Sequence, residues 1–119
     1  MEAKASRLQV ARSKDMVHIE FLDRSILDES CIQQIGQEIS DLIDEATNPR
    51  ILLNFANVEH LSSAALGTLI TINNRVKQRG GQLRLSNIDP QIYEVFAITR
   101  LNKLFQIHAD VAAAAASFK

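Results

Sequence analysis

The residues best placed to do chemistry in this sequence are two adjacent serines, Ser62 and Ser63, which lie between a predicted central strand and a predicted helix. The carboxyl ends of strands form the functional edge of an open α/β sheet, and a helix start presents unpaired amides and the positive end of a dipole. A phosphate on a serine here would gain amide hydrogen bonds and add roughly −1.5 to −2 charge. The pair is therefore a candidate phosphorylation site, although a serine before an apolar helix is also an ordinary N-cap.

Other catalytic and cofactor signatures are absent from the sequence. It contains no Gly-x-Gly-x-x-Gly and no Walker loop, and its Gly80-Gly81 pair follows a helix, which is the wrong place to hold a phosphate. His18, His60 and His108 are scattered, and Cys31 is the only cysteine, so neither a zinc motif nor an intrachain disulfide is expected. We predict that the protein is not an enzyme and has no catalytic residue, no metal site and no cofactor.

Composition limits the partners and the compartment. With 119 residues and 46% hydrophobic content, the chain is predicted to form one domain over residues 1–119. A formal net charge of −1 makes nucleic acid a poor partner. No apolar run is long enough to span a membrane, and the first residues lack the apolar core of a signal peptide, so we expect no membrane insertion and a cytoplasmic location.

The amino-terminal part of the sequence predicts a hairpin followed by a helix. Residues 7–11 and 16–22 alternate apolar and polar side chains, as half-buried strands do, and residues 13–15 form a polar turn between them. Ser30 and Gln33 have the spacing of a capping box, and apolar residues then recur at helical spacing. This helix is predicted to end before Pro49.

The remainder alternates strands and helices. The apolar run 51–55 predicts a central strand, and the next helix covers Ser63–Gln78, with Gly80 as its left-handed cap. A strand at residues 82–86 precedes a helix capped by Asp89, and a strand at residues 104–108 precedes a helix capped by Asp110. The order ββαβαβαβα predicts an α/β fold with a mixed, mostly parallel sheet of about five strands and four helices.

Around the serine pair the sequence resembles the STAS domain, the sulfate-transporter and anti-sigma-factor-antagonist family. The family hallmark is a strand ending in aspartate, then Ser-Ser-Gly-Leu-Gly opening a helix that runs to a Gly-Gly pair. Leu66-Gly67 and Gly80-Gly81 match this pattern, and the resemblance covers about residues 6–118. Three positions depart from it: Ser62 replaces the aspartate, Ala64 the second serine and Ala65 the first glycine.

This resemblance implies a function and a site. The family's phosphorylated serine falls on Ser63, with Ser62 as second choice. The unmodified domain would bind an anti-sigma factor that is itself a serine kinase carrying ATP and Mg²⁺, and phosphorylation would break the complex. The implied partner-contact residues are Asn57, Glu59, His60, Leu61, Ser62, Ser63, Ala64, Leu66 and Gly67.

Two other functions stay open. The domain could be a STAS subunit that is not phosphorylated and docks onto a larger assembly, such as an ABC-type lipid-transport ATPase or a stress-sensing complex. The missing aspartate at Ser62 favours this alternative. An enzyme with an unrecognised site is the third possibility, although His60 beside the serines lacks the Gly-x-Ser-x-Gly turn of a hydrolase. The partner's identity and the oligomeric state do not follow from the sequence.

Overall fold

The computed structural model describes residues 8–13 and 16–118. Its main sheet is built from β1 (Leu8–Arg12), β2 (Val17–Phe21), β4 (Arg50–Asn54), β6 (Gln82–Ser86) and β7 (Gln106–His108). These five strands lie side by side in that order, with β1 and β2 antiparallel and every other neighbouring pair parallel. The mixed, mostly parallel five-stranded sheet predicted from the sequence is confirmed.

Helices cover both faces of this sheet. They are α1 (Glu29–Asp44), α2 (Ser63–Gln78), α3 (Pro90–Ile98) and α4 (Val111–Ala116), with a 3₁₀ turn at Leu101–Lys103. Ile51 and Leu53 of β4 point into the main core with the apolar faces of α1 and α2. Leu52 points the other way and is also fully buried, since α4 packs against β4, β6 and β7. A central strand buried on both faces explains the nearly continuous apolar run at residues 51–55, which only Asn54 interrupts.

Most predicted element boundaries are correct. The second helix begins at Ser63 and ends at Gln78, and Gly80 after it has a φ of +72°, as the predicted left-handed cap requires. Asp89 and Asp110 cap α3 and α4 through their side chains. The predicted hairpin of β1 and β2 is present, and Ser13 N donates to Met16 O over 2.9 Å; residues 7, 14 and 15 of that prediction lie outside the described residues.

The predicted cap of the first helix is wrong. Asp28, rather than Ser30, is the N-cap, because its carboxylate accepts from Cys31 N over 3.3 Å. Ser30 already lies in the first turn, where its hydroxyl donates to the same Asp28 carboxylate. Aspartate and serine are both favoured caps, so the Ser30 to Gln33 spacing identified the right region of the chain and the wrong residue.

The last strand is shorter than predicted. Phe105 N donates to Leu101 O over 3.0 Å, which holds residues 104–105 on the 3₁₀ turn instead of in the sheet. The Phe105 ring packs edge-on against Phe96, with 5.8 Å between the ring centroids. Phe105, whose apolar character suggested a strand, is therefore buried, but it belongs to a turn and not to the sheet.

Two very short strands were not predicted from the sequence. They are β3 (Ser25–Ile26) and β5 (His60–Leu61), which pair with each other in a separate parallel sheet. Two residues are too few to show the alternation that identifies a strand. This small sheet matters for function, because β5 leads directly into α2.

Candidate functional site

The segment between β4 and α2 is tied to the end of β2 and to the chain that follows it. Asn57 Nδ2 donates to Phe21 O over 3.1 Å and to Glu20 Oε2 over 3.2 Å. Glu59 N then donates to Arg24 O over 2.7 Å. These bonds satisfy backbone and side-chain groups that a loop would otherwise leave to water. They fix the path of the crossing segment and hence the place where α2 begins.

Ser62 is fully engaged in holding the start of α2. Its Oγ accepts from Ala65 N over 3.1 Å, and its carbonyl accepts from Leu66 N over 3.1 Å. Its own N–H donates to Ile26 O over 3.1 Å, which continues the small sheet. Ser62 has the extended backbone of an N-cap and is partly buried. The serine that replaces the family aspartate therefore keeps a capping function that aspartate also performs.

Ser63 is exposed in the first turn of α2. Ala64 and Gly67 beside it are exposed too, and a Cβ built on Gly67 would meet no atom within 4 Å. The surface around the Ser63 hydroxyl is consequently low and open, so another protein can approach it closely. First-turn amides have no partner within a helix, and Ser62 Oγ takes only that of Ala65. A negative group on Ser63 would lie beside the positive end of the helix dipole.

The predicted contact residues do not all reach the surface. Leu61 and Ser62 are partly buried, and Leu66 is only 6% exposed. The exposed ones are Asn57, Glu59, His60, Ser63, Ala64 and Gly67. A partner on this face would meet mainly polar and very small side chains, and it could reach Leu66 only through a groove.

That groove has a volume of about 280 Å³ and lies between the start of α2 and helix α3. Leu61 and Leu66 lie on its α2 side, and Ile92 and Val95 on its α3 side. Leu27, which is 54% exposed, completes the apolar lining. The sequence interpretation did not include Leu27, Ile92 or Val95 in the site. Leu27 and the two α3 residues come from separate parts of the sequence, so no local pattern indicated that they line one groove.

The carboxylate in the groove lining is paired with an arginine. Arg24 Nε lies 3.0 Å from Glu59 Oε2, and both side chains are more than half exposed. An ion pair so exposed contributes little to stability, but it neutralises the only carboxylate in the groove lining. A phosphate on Ser63 would therefore dominate the local charge.

In the part of the chain that the structure describes, no three His, Cys, Asp or Glu residues are grouped as metal ligands would be. Among the same residues, no helix has the length and apolar character needed to cross a membrane.

Substitution of Ser62 by alanine and by aspartate tests its capping function. We expect Ser62→Ala to lower the free energy of unfolding by about 1 kcal/mol, because Ala65 N loses its acceptor. Ser62→Asp should retain the cap and leave stability within about 0.5 kcal/mol of the wild type. Urea unfolding followed by circular dichroism measures both. Equal stability of the alanine and aspartate variants would show that the Ser62 cap contributes nothing.

The five-stranded sheet and the exposed serine at the start of α2 define a small α/β domain of the type found in anti-sigma factor antagonists. The STAS domain model matches residues 24–114, and the chain belongs to the STAS domain family. The resemblance identified from the serine pair and the two glycine motifs is thereby confirmed.

Two related sequences carry the name of anti-sigma factor antagonists. BtrV of Bordetella bronchiseptica, whose name marks it as a candidate anti-sigma factor antagonist, is 26% identical over 96 residues, covering 81% of this chain and 82% of BtrV. The anti-sigma-B factor antagonist of Bacillus subtilis is 29% identical over 75 residues, covering 63% of this chain and 67% of that protein.

Solved structures share the fold. An anti-sigma-factor antagonist (STAS) domain protein from Planctomyces limnophilus superposes with a TM-score of 0.83 at 19% identity, covering 96% of this chain and 98% of its own. The phosphorylated form of SpoIIAA from Bacillus gives a TM-score of 0.67 at 22% identity, covering 89% and 95%. At these identities the likeness establishes the fold alone.

Proposed function

We propose that this chain is a cytoplasmic regulator of the anti-sigma factor antagonist type, which binds an anti-sigma factor that is also a serine kinase and is switched by phosphorylation of Ser63. One observation carries the choice of serine. Ser63 is exposed in the first turn of α2, whereas the Ser62 hydroxyl accepts from Ala65 N and is partly buried. A kinase needs an accessible hydroxyl, so Ser63 is the better acceptor.

The unmodified surface is suited to close contact. Ala64 and Gly67 leave the first turn of α2 uncovered, and the crossing segment beneath it is held by Asn57 and Glu59. A partner could therefore dock on a preformed surface with little loss of conformational entropy. Occupying the anti-sigma factor in this way would release the sigma factor.

The partner would supply the chemistry of the switch. Ser63 Oγ would attack the γ-phosphorus of the ATP that the kinase holds with Mg²⁺. A new O–P bond would form as the bond from the γ-phosphorus to its bridging oxygen breaks, ADP would leave, and the hydroxyl proton would pass to a base of the kinase. This chain would contribute the nucleophilic oxygen and its position.

Phosphate on Ser63 would oppose rebinding. The group adds roughly −1.5 to −2 charge to a surface whose groove carboxylate is already paired with Arg24. First-turn amides and the helix dipole would stabilise this charge in the free protein. A partner covering it would have to remove its water without offering a matching cation. The modified form is therefore expected to stay free.

A second candidate is a STAS subunit that is not phosphorylated and docks onto a larger assembly. The observation that favours it is Ser62, which removes the family's negative charge beside the acceptor serine. Since Ser62 still caps α2, this change leaves the fold of the site intact. It would alter recognition by a kinase while preserving a docking surface.

Phosphorylation in vitro distinguishes these two functions. The wild type, Ser62→Ala and Ser63→Ala are incubated with ATP, Mg²⁺ and the cognate serine kinase, and phosphopeptides are located by mass spectrometry. We expect one phosphate on Ser63 in the first two proteins and none in the third. Phosphate on Ser62, or unchanged phosphorylation of Ser63→Ala, would contradict the assignment. Stable binding with no phosphate in any protein would favour the docking subunit.

A further inference from the structure

Helix α3 carries an unusual amount of exposed apolar surface. Among the described residues only six large hydrophobic side chains are exposed, and Tyr93, Val95 and Ile98 of this nine-residue helix are three of them. Ile98 is 81% exposed, by far the largest fraction of the six. Tyr93 lies on the opposite side of the helix from Val95 and Ile98, which share one face. Single exposed apolar residues are normal on protein surfaces, but neighbours on one face indicate an interaction surface.

The apolar surface has a projection and a recess on the same side of the helix. Gln91, Val95 and Ile98 are spaced at i, i+4 and i+7, which places them along one face. Gln91 and Val95 line the groove at the amino end of α3, and Ile98 projects near the carboxyl end. The projecting residue and the recess are about 10 Å apart along the helix axis.

We propose that two copies of this chain associate through antiparallel pairing of their α3 helices. A two-fold axis between Glu94 and Val95 brings Ile98 of each copy opposite the partner's Gln91, at the mouth of the partner's groove. The surface is thus complementary to itself, which is the requirement for a closed two-fold dimer. Each Ile98 would leave water for an apolar recess, which is the main driving force of association.

The same symmetry brings opposite charges together at both ends of the pair. Arg100 follows α3 and Asp89 caps its start, so antiparallel pairing about this axis sets Arg100 of one copy near the partner's Asp89. The dipoles of the two helices also run in opposite directions, which is favourable. Glu94, which is exposed, lies beside its own symmetry mate at the axis, and this like-charge contact opposes the attraction at the two ends and weakens the dimer.

The predicted dimer is weak. One pair of short helices covers less surface than the roughly 1,600 Å² of a standard stable interface. We expect a rapidly exchanging dimer with a dissociation constant of about 100 µM. Such a weak dimer forms in substantial amounts only where the local concentration of the protein is high.

Dimerisation would compete with the partner, a consequence that rests on the proposed function. The groove that receives Ile98 is lined by Leu61 and Leu66, which belong to the predicted partner-contact residues. A second copy in the groove would cover part of the surface that the kinase requires. The dimer itself can be tested without any partner, so the two proposals can fail separately.

Sedimentation velocity tests the association. The wild type is measured from about 10 µM to about 1 mM, and its weight-average mass should rise from one chain toward two. Ile98→Glu should remain monomeric over the whole range, with an unchanged circular dichroism spectrum. Val10→Glu is the matched control, because Val10 is also an exposed apolar residue but lies on β1 at the opposite edge of the sheet. This control should associate as the wild type does.

A cysteine cross-link tests the geometry. Residue 95 lies next to its own symmetry mate in the proposed pair, so Val95→Cys should form a disulfide-linked dimer under mild oxidation. Asn74→Cys, on the exposed face of α2, should not. A wild-type protein that stays monomeric at about 1 mM overturns the proposal. A dimer that survives Ile98→Glu, or that fails to link through Val95→Cys, overturns it as well.

Discussion

The Ser63→Glu variant is expected to bind the cognate anti-sigma factor about 100-fold more weakly than the wild type, as measured by isothermal titration calorimetry. The physical reason is the position of residue 63 in the exposed first turn of α2, where Ala64 and Gly67 let a partner come into contact. A carboxylate there would be covered by the partner without a matching cation, and an unpaired buried charge is strongly unfavourable. The effect should appear mainly as faster dissociation.

Two variants separate charge from other effects of substitution. Ser63→Ala removes the hydroxyl without adding charge. It should bind within about threefold of the wild type, because at most one exposed hydrogen bond to the partner is lost. Asn74→Glu adds the same charge to the same helix, about 16 Å further along its axis, and should also bind normally. Equal affinity of Ser63→Glu and Ser63→Ala would remove Ser63 from the switch.

The second large effect is expected from Gly81→Ala. A Cβ on Gly81 would lie 2.2 Å from Pro49 O and 2.8 Å from the Pro49 ring. Pro49 O is itself fixed, because it accepts from Gln82 N over 2.8 Å where β4 and β6 begin. The backbone would have to move to relieve the contact. We expect a loss of about 3 kcal/mol of unfolding free energy and a fall in melting temperature of roughly 10 °C or more.

Gly67→Ala is the matched control for that substitution. Gly67 lies within α2, and a Cβ there meets no atom within 4 Å. Replacing an exposed glycine inside a helix by alanine should raise stability by roughly 0.5 to 1 kcal/mol. Differential scanning calorimetry should show a lower melting temperature than the wild type for Gly81→Ala and a higher one for Gly67→Ala. Similar melting temperatures for Gly81→Ala and the wild type would show that the backbone at Pro49 can move away from residue 81 at little cost.

The sequence predicted the elements whose signal lies within a few neighbouring residues. Ser63–Gln78 was located correctly because a capping serine, a helical apolar pattern and a Gly-Gly pair agree with each other. The central strand was clear because the nearly continuous apolar run at residues 51–55, interrupted only by Asn54, fits a strand buried on both faces. The cap of α1 was misplaced where two good capping residues, Asp28 and Ser30, stand close together.

Features that depend on contacts between distant segments were not predictable in the same way. The β3 and β5 strands have two residues each and exist only because they pair with each other across 35 residues of chain. The groove beside Ser63 joins Leu27, Leu66 and Val95, which come from three separate parts of the sequence. The exposure of Ile98 follows from which face of α3 meets the core, and a nine-residue helix has too few turns to show that clearly.

The sequence by itself therefore determined the α/β fold, the family and the pair of serines at the start of α2, because local spacing and local caps carry this information. Only the tertiary structure decided how the two serines differ. The Ser62 hydroxyl accepts a hydrogen bond from Ala65 N at the start of α2, and the Ser62 amide donates to Ile26 O. Ser63, one residue further, is exposed beside small side chains. That difference arises because the pairing of β5 with β3 fixes the direction in which the chain enters α2. No pattern of neighbouring residues specifies this pairing.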